Sequence, residues 1–286
     1  MGKTAVAIGV ADRLRERGED PVAVSADALQ VYAGLEVLTG APNDDERRLL
    51  EHRLVGTVPV TESFSAGEYA ALAHTEIDGL LDAGRTPIVV GGTGLYLRAA
   101  LADLALRPPP DPAVRARLLA DLERSGPEAM HARLPPWAAE RILPTDRQRI
   151  VRALELHAAG ALVPNPPDSQ LWASETRHPT ALVGLVMDRE ALTTRIDERV
   201  DAMVAAGAAE EVARADAAGA SPTARKALGF RELLDDDIEA MKRNTRRFAR
   251  RQVTWMRKLA GAHLVEVTGR DAQDVADEVV TYAGTR

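Results

Sequence analysis

The residues best suited to chemistry stand at the beginning of the sequence. Gly2-Lys3-Thr4 opens an apolar-periodic helical pattern and matches the last three positions of the phosphate-binding loop G-x-x-x-x-G-K-[ST]. In that loop, backbone N–H groups and the lysine hold a di- or triphosphate, and the threonine hydroxyl reaches Mg²⁺. Alone, the tripeptide suggests a nucleotide triphosphate as ligand. The first half of the motif and the apolar strand that should precede it are absent from the sequence.

Two further polar side chains follow segments that read as buried strands. Asp27 follows Pro21–Ser25, and Thr93 follows Thr86–Val90, which we expect to be buried on both faces. Ligand sites gather at the carboxyl ends of strands in open α/β sheets. Asp27 is therefore either a catalytic carboxylate on the same edge as Lys3 or the cap of a turn. Thr93 and its neighbouring glycines either approach a ligand or form a tight turn into a helix.

Positive charge is concentrated in two segments of this acidic chain. The net charge is −7, yet residues 242–258 contain eight Lys or Arg and no Asp or Glu. Positions 243, 246, 247, 250 and 251 share much of one helical face, which suits phosphates of a small ligand or of a nucleic acid. A second cluster comprises Arg147, Arg149 and Arg152, for which a solvated helix face is the plain alternative.

The surrounding elements predict an α/β protein with a parallel sheet and crossover helices, because strand and helix patterns alternate. Between proline-rich segments at 107–112 and 163–168 the chain reads as wholly helical, broken at Pro135-Pro136 and Pro144. We expect a core formed by residues 1–107 and 181–286 and a helical insertion over 108–180.

Composition excludes several classes of protein. The 286 residues include no cysteine, which excludes disulfides and thiolate metal sites. The sequence has no secretory signal pattern and no apolar run of about eighteen residues, so we expect a cytoplasmic protein without membrane contact. Aromatic residues make up 3% of the chain, too few for extensive base-stacking platforms.

Taken in order, the motifs resemble those of the bacterial tRNA dimethylallyltransferase family over essentially the whole chain. The matching stretches are Gly2–Thr4, Ser25–Tyr32, Gly91–Tyr96, Asp111–Arg117, Gln148–Glu155, Lys226–Phe230 and Arg250–Trp255. The resemblance implies a P-loop NTPase-like parallel sheet core with a helical insertion that grips the anticodon stem-loop. It also implies transfer of a dimethylallyl group from dimethylallyl diphosphate to N6 of adenosine 37, with release of diphosphate.

The same resemblance assigns roles to residues. Asp27, Thr93 and Lys3 are expected to be catalytic, with Asp27 as general base on the adenine amine. Thr4 is expected to meet Mg²⁺. The diphosphate-binding set is Gly2, Lys3, Thr4, Arg247 and Arg251. The tRNA-binding set is Asp27, Ala28, Leu29, Gln30, Thr93, Arg115, Gln148, Arg149, Ile150, Val151, Arg152, Lys226, Gly229, Phe230 and Arg231. We expect a monomer whose partners are the tRNA anticodon stem-loop and dimethylallyl diphosphate.

The sequence departs from the family pattern at three places. The loop Thr39–Pro42 lacks a lysine that members usually carry, and Phe230 stands where tyrosine is commoner. Members also have an apolar strand and a Gly-Pro-Thr-Ala-x segment ahead of Gly-Lys-Thr. Without that strand we expect the sheet to lose a central member, together with N–H donors for the diphosphate. We therefore expect that the natural chain begins about ten residues upstream of a misassigned start.

Two alternatives share part of the evidence. A small-molecule P-loop kinase or an adenylate prenyltransferase would use Lys3, Thr4 and Asp27 as well. Neither would need a proline-bracketed helical insertion or the cationic segment 242–258. A catalytically impaired RNA-binding homologue is the other alternative, and the shortened phosphate loop is its support.

Overall fold

The computed structural model describes residues 2–109, 111–164, 171 and 173–285. Its strands are β1 (Pro21–Ser25), β2 (Tyr32–Ala33), β3 (His52–Arg53), β4 (Val58–Pro59), β5 (Thr86–Val90), β6 (Val183–Val186) and β7 (His263–Glu266). The helices of the first half are α1 (Lys3–Glu16), α2 (Glu36–Thr39), α3 (Asp44–Leu49), α4 (Ala66–Asp82), α5 (Gly94–Leu101) and α6 (Pro112–His131). Those that follow are α7 (Pro136–Ala139), α8 (Arg147–Ala158), α9 (Arg189–Ala205), α10 (Ala208–Ala217), α11 (Phe230–Leu234), α12 (Ile238–Met256) and α13 (Ala272–Ala283).

Strand pairing is parallel throughout the described residues, which confirms the predicted α/β class. The strands form a sheet of order β3-β1-β5, a pair β6-β7 and a pair β2-β4. β1 lies in the middle of the larger sheet, and all of its residues are buried. Helix α1 packs its apolar side, including Val6 and Val10, against Val265 of β7 and Val280 of α13. The start of α1 is thereby held beside the strand ends.

β5 differs from the expectation of a strand buried on both faces. Each of its five residues is only partly buried, whereas the five residues of β1 are fully buried. The difference follows from the pairing, because β1 has a neighbour on each side and β5 pairs with β1 alone among the described strands.

The chain divides into two compact units, residues 1–104 with 171–286 and residues 105–170. The boundary at the C-terminal side differs from the expected insertion of 108–180, because the segment after residue 170 belongs with the first unit. Arg177 anchors it: its backbone N–H donates to Leu101 O at 2.8 Å and its guanidinium donates to Asp78 at 2.8 Å.

The second unit is helical, as predicted, with α6 packed on α8 around Leu118, Leu122, Met130 and Leu154. Prolines 135, 136 and 144 fall at or between helix ends. An additional break occurs inside α6, where Gly126 has a φ of 77°. Glycine adopts this value without strain because it has no Cβ, and Pro127 suits the start of the next helical segment. Residues 165–168 of the second proline-rich segment lie outside the described residues.

Among the described residues, no helix combines the length and apolar character needed to cross a membrane.

Candidate active site

The start of α1 presents a positive end of the helix to the carboxyl ends of the strands. Gly2 has a left-handed φ of 69°, and its carbonyl accepts from Val6 N–H at 3.0 Å. Lys3 and Thr4 occupy the first turn, where the described chain has no acidic residue. Free backbone N–H groups and the helix dipole at such a position favour an anion.

Lys3 and Asp27 are electrostatically coupled. Burial lowers the pKa of the half-buried Lys3 ammonium, while the negative charge of Asp27 acts to raise it. The ammonium group therefore lies in surroundings that penalise its charge unless a further anion is present.

Asp27 performs the turn-capping role that the sequence left open. Its Oδ1 accepts from Leu29 N–H at 3.0 Å. Among the described residues, no hydrogen bond to Oδ2 is present, so this oxygen remains able to accept a proton. The carboxylate follows β1, with its side chain half-buried. The turn-capping interpretation therefore holds, and it uses only one of the two carboxylate oxygens.

Two tyrosines form an apolar wall close to Asp27. The Tyr69 and Tyr96 rings lie 4.5 Å apart, and the Tyr69 hydroxyl donates to Ser25 O at 3.0 Å. Burial raises the pKa of both phenols well above the usual range, with a smaller contribution from Asp27. Both rings therefore stay neutral at physiological pH.

Thr93 stands at the N-cap of α5 without a side-chain capping hydrogen bond. The glycines around it allow close packing within the protein. A Cβ on Gly91 would overlap Ala26 O, and one on Gly94 would overlap the Trp255 ring. The glycines thus let α5 and α12 close tightly around the strand end, which leaves the Thr93 hydroxyl available to a substrate.

The same loop is fastened to α12 and approaches Lys3. Gln252 donates from Nε2 to Gly92 O at 2.7 Å. A Cβ on Gly92 would lie 3.4 Å from Lys3 Nζ. The ends of β1 and β5 and the start of α1 therefore meet in one small region that contains Lys3, Asp27 and Thr93.

Sequence reasoning missed two arginines of this region. A Cβ on Gly2 would lie 3.1 Å from Arg195 Nη2, and one on Gly40 would overlap Arg199 Nη2. Loss of hydration lowers the pKa of Arg199, and the charge of Asp27 opposes that shift. Both arginines stand one turn apart on α9, and that spacing is the signal the sequence carried. Which way the side chains of Arg195 and Arg199 point depends on how α9 packs, and the sequence does not show this.

Arg199 also lies over the loop that lacks the family's usual lysine. Its Nη2 is 3.4 Å from Thr39 O, next to the left-handed Gly40 at φ 58°. A guanidinium from another element thus supplies positive charge where the loop itself has none.

The cationic segment of α12 separates into two groups. Arg246 pairs with Asp197 at 2.7 Å and Lys242 with Asp201 at 2.7 Å, so these residues hold α12 against α9. The predicted diphosphate ligands Arg247 and Arg251 are exposed. They line a surface cavity of about 340 Å³ with Arg250, Thr254, Trp255 and Lys258. The arginines that lie beside Gly2 and Gly40 are Arg195 and Arg199, respectively, and not Arg247 and Arg251.

Several residues of the first unit that were predicted to contact tRNA are engaged in contacts within the protein. Gln30 accepts from Ser25 Oγ at 3.1 Å and donates to Gly40 O at 3.0 Å, so its amide ties the loop to β1. Phe230 is 1% exposed and belongs to the core, which excludes a side-chain contact with RNA. Gly229 lies against Met241 with a φ of 94°. Among the other predicted residues of this unit, Ala28 and Leu29 are partly buried, whereas Lys226 and Arg231 are exposed.

The second unit brings together two of its predicted arginines around one buried carboxylate. Glu155, with a side chain 2% exposed, pairs with Arg115 at 2.9 Å and with Arg152 at 3.1 Å. A buried charge needs such partners. The pairing fixes both guanidinium groups at the surface of α6 and α8.

Two neighbours in the same motif cannot contact RNA through their side chains. Ile150 is 0% and Val151 3% exposed, because α8 turns its apolar face to the core of the unit. Gln148 and Arg149 occupy the opposite, exposed face. The resemblance therefore marks a helix, of which only one face is available for recognition.

Metal binding by protein ligands alone is not supported in the described residues, since they contain no group of three or more His, Cys, Asp or Glu placed to hold a metal. A Mg²⁺ ion does not require one, because it commonly combines one or two protein oxygens with substrate phosphates and water. The Thr4 hydroxyl in the first turn of α1 fits that mode of binding.

Comparison with known proteins identifies close similarities over the full length. Residues 30–259 match the family model described as IPP transferase. The chain is 39% identical to a tRNA dimethylallyltransferase of Thermobifida fusca over 97% of its own length and 89% of that protein. It is 42% identical to a tRNA dimethylallyltransferase of Anaeromyxobacter dehalogenans over 94% of its own length and 92% of that protein.

Solved structures agree with the sequence matches. The full-length tRNA isopentenylpyrophosphate transferase of Bacillus halodurans superposes with a TM-score of 0.70 at 29% identity, covering 99% of this chain and 93% of that protein. The corresponding transferase of Staphylococcus epidermidis superposes with a TM-score of 0.70 at 28% identity, covering 100% of this chain and 95% of that protein. The core therefore has the P-loop NTPase-like fold of these transferases, as predicted.

Proposed function

Because this chain belongs to the IPP transferase family, we propose that it transfers a dimethylallyl group from dimethylallyl diphosphate to N6 of adenosine 37 in tRNA. The names of its relatives support the activity and the tRNA substrate. The observation that carries the assignment is the meeting of Lys3, Asp27 and Arg199 at the carboxyl ends of β1 and β5.

The diphosphate of the donor binds at the start of α1. Backbone N–H groups of Gly2–Thr4, the Lys3 ammonium and the guanidinium groups of Arg195 and Arg199 converge there. Their positive charge offsets the negative charge that develops on the leaving diphosphate, which is the main way a site of this kind lowers the barrier. We assign Arg247 and Arg251 to the flank of the site, where they line the surface cavity of about 340 Å³ with Trp255 and Lys258.

The reaction forms a bond between adenine N6 and C1 of the dimethylallyl group and breaks the bond between C1 and the diphosphate oxygen. Asp27 accepts the N6 proton through Oδ2, while Oδ1 keeps the hydrogen bond from Leu29 that orients the carboxylate. The Thr93 hydroxyl, which caps no backbone group, hydrogen-bonds the incoming nucleotide. Tyr69 and Tyr96 restrict water around the carboxylate.

Adenosine 37 must leave the stacked anticodon loop to reach Asp27, as in other enzymes that modify a base. The phosphates of the anticodon stem-loop are contacted by accessible cations in each unit. In the first unit these are Lys226 and Arg231, and in the second Arg115, Arg149 and Arg152.

Mg²⁺ fits as a cofactor on the chemistry of its donor set. The Thr4 hydroxyl would supply one oxygen ligand, and the diphosphate and water would supply the others. When bound, the ion neutralises charge on the diphosphate.

The decisive comparison uses two acceptors and a labelled donor. Transfer to an anticodon stem-loop but not to free AMP supports the tRNA activity, because the cations of both units serve only a large anionic acceptor. Transfer to AMP at an equal or higher rate would instead assign the chain to adenylate prenylation. Stem-loop binding without transfer to either acceptor would identify an RNA-binding homologue.

A further inference from the structure

Glu211 of α10 is a buried carboxylate that the proposed reaction does not use. The residue is 5% exposed. In the part of the chain that the structure describes, its hydrogen-bond partners are backbone groups: Oε1 accepts from Val37 N–H at 3.0 Å and Oε2 accepts from Leu38 N–H at 2.8 Å. Burial of a carboxylate is costly unless such bonds replace its hydration. Both oxygens of Glu211 are therefore committed to α2.

α2 is a single helical turn that depends on partners outside itself. It comprises four residues, Glu36–Thr39, which are too few for a helix to be stable alone. The first N–H groups of a helix have no partner within it, and Glu211 satisfies two of them here. Leu38 packs into the same apolar cluster as Val212 of α10. α2 therefore takes its position from α10.

The loop Thr39–Pro42, which begins at the last residue of α2, is fastened to the end of β1. Gln30 Nε2 donates to Gly40 O at 3.0 Å, and Ser25 Oγ donates to Gln30 Oε1 at 3.1 Å. Ser25 is the last residue of β1. The loop is thus held at its start through α2 by Glu211 and along its backbone through Gln30 by β1.

The Arg199 guanidinium lies directly against this loop. Its Nη2 is 3.4 Å from Thr39 O, and a Cβ on Gly40 would overlap the same atom. Gly40 has a φ of 58°, a conformation that glycine adopts without strain because it has no Cβ. A displacement of the loop therefore changes the surface on which the guanidinium rests.

The position of Arg199 affects the other charges of the site. Burial lowers the pKa of Lys3, the charge of Asp27 opposes this shift, and the charge of Arg199 adds to it. Charges interact in this way only at short separations. A shift of the guanidinium consequently changes the positive charge that surrounds the start of α1.

We infer that Glu211 is a positioning residue of the diphosphate site. By holding α2, it fixes the loop Thr39–Pro42, against which the Arg199 guanidinium is oriented. The inference rests on the proposed function, because that function assigns Arg199 to the diphosphate. The plain alternative is that Glu211 only stabilises the fold, in which case its replacement leaves the affinity of the folded chain for diphosphate unchanged.

The test replaces Glu211 by Gln and measures the affinity of the folded chain for inorganic diphosphate. The amide nitrogen of Gln cannot accept a hydrogen bond, so one of the two N–H groups of α2 loses its partner. The matched control is Glu210→Gln, which removes the same charge from the neighbouring, exposed position in the first turn of α10. Glu211→Gln should weaken binding at least about threefold relative to this control. Equal affinities of the two variants would overturn the inference.

A double-substitution cycle with Arg199 separates positioning from a general loss of stability. Because Glu211 acts through Arg199, Glu211→Gln should cause no further loss of affinity in a chain that already carries Arg199→Ala. An equal loss with and without Arg199 would overturn the inference.

The same cycle distinguishes failure of the inference from failure of the proposed function. Unchanged affinity in Arg199→Ala alone would overturn the assignment of Arg199 and the inference with it. A loss in Arg199→Ala, combined with equal affinities of Glu211→Gln and Glu210→Gln, would overturn the inference alone. None of these measurements uses prenyl transfer.

A second variant covers the case in which Glu211→Gln does not fold. Glu211→Asp keeps the charge, but its side chain is shorter by one methylene group and cannot reach both N–H groups. Amide hydrogen exchange at Val37 and Leu38 should be at least about tenfold faster than in Glu210→Gln, and diphosphate binding should be weaker. Exchange and affinity equal to those of the control would show that α2 is held without Glu211, and would overturn the inference.

Discussion

Replacing Asp27 by Asn separates proton acceptance from the turn in which this residue takes part. The amide oxygen of Asn can still accept from Leu29 N–H, which lies 3.0 Å from Oδ1. The amide cannot take up the proton of adenine N6. We therefore expect a folded protein that binds the stem-loop and transfers the prenyl group slowly.

The expected loss is large compared with the effect on stability. A positioned general base contributes about 10²–10⁴ in rate, which corresponds to about 3–5.5 kcal/mol of transition-state stabilisation. The turn hydrogen bond contributes about 1 kcal/mol to folding. Asp27→Ala should consequently match Asp27→Asn in transfer and differ from it by about 1 kcal/mol in the free energy of unfolding.

One electrostatic side effect needs a control. The charge of Asp27 raises the Lys3 pKa against the effect of burial, so its removal weakens the hold of Lys3 on its proton. The affinity for inorganic diphosphate is therefore measured at pH 7 for each variant, beside the single-turnover rate with a saturating stem-loop. A transfer rate for Asp27→Asn within tenfold of the unsubstituted chain would refute the role of Asp27 as base. Parallel loss of stem-loop binding would do so as well.

Three further changes test separate parts of the site. Arg199→Ala should weaken diphosphate binding at least about tenfold by removing one charge-assisted contact, whereas Arg189→Ala, on the exposed start of the same helix, should leave it unchanged; equal titration curves would contradict the placement of Arg199. The folded-state pKa of Lys3 lies below its ordinary value of 10.5, so the unfolded chain binds more protons between the two values and the free energy of unfolding rises with pH there. Lys3→Met should flatten that rise in denaturant titrations, and an unchanged slope would count against the shift. Glu155→Gln should weaken stem-loop binding and destabilise the chain by about 1–3 kcal/mol, since it leaves buried groups with weaker partners; Glu123→Gln, an exposed residue paired with Arg147, provides the control, and equal losses in both would contradict the positioning of Arg115 and Arg152.

The positions of Asp27 and Thr93 could be predicted because each follows a strand in the sequence, and that of Lys3 because it opens a helix. A polar residue directly after a parallel strand lies at the carboxyl edge of the sheet wherever the strand is placed. The region they form in the structure required no knowledge of long-range packing. The α/β class and the helical second unit were accessible for the same reason.

The roles of Arg195 and Arg199 could not be predicted, because nothing local to α9 sets which side of it faces Gly2 and Gly40. Conversely, Ile150, Val151 and Phe230 were predicted to contact RNA, but their side chains are buried. Their places in the motifs indicated RNA contact, but the apolar faces of their helices are buried. A motif identifies a segment, and the direction of each side chain depends on the packing of that segment.

The partial exposure of all five β5 residues differs from the burial on both faces that their composition predicts. Thr86–Val90 has the composition of a strand buried on both faces. Composition indicates the surroundings in which a strand is stable, but it does not show whether neighbouring elements provide them. In the structure the strand borders a cavity instead.

The most direct test of the account is the location of the transferred group. The unsubstituted chain is incubated with labelled dimethylallyl diphosphate, Mg²⁺ and an anticodon stem-loop, and the RNA is digested to nucleosides. The account predicts label on N6 of the adenosine next to the anticodon, and none when guanosine replaces that adenosine. Label on another nucleoside, or equal labelling of the guanosine variant, would contradict it.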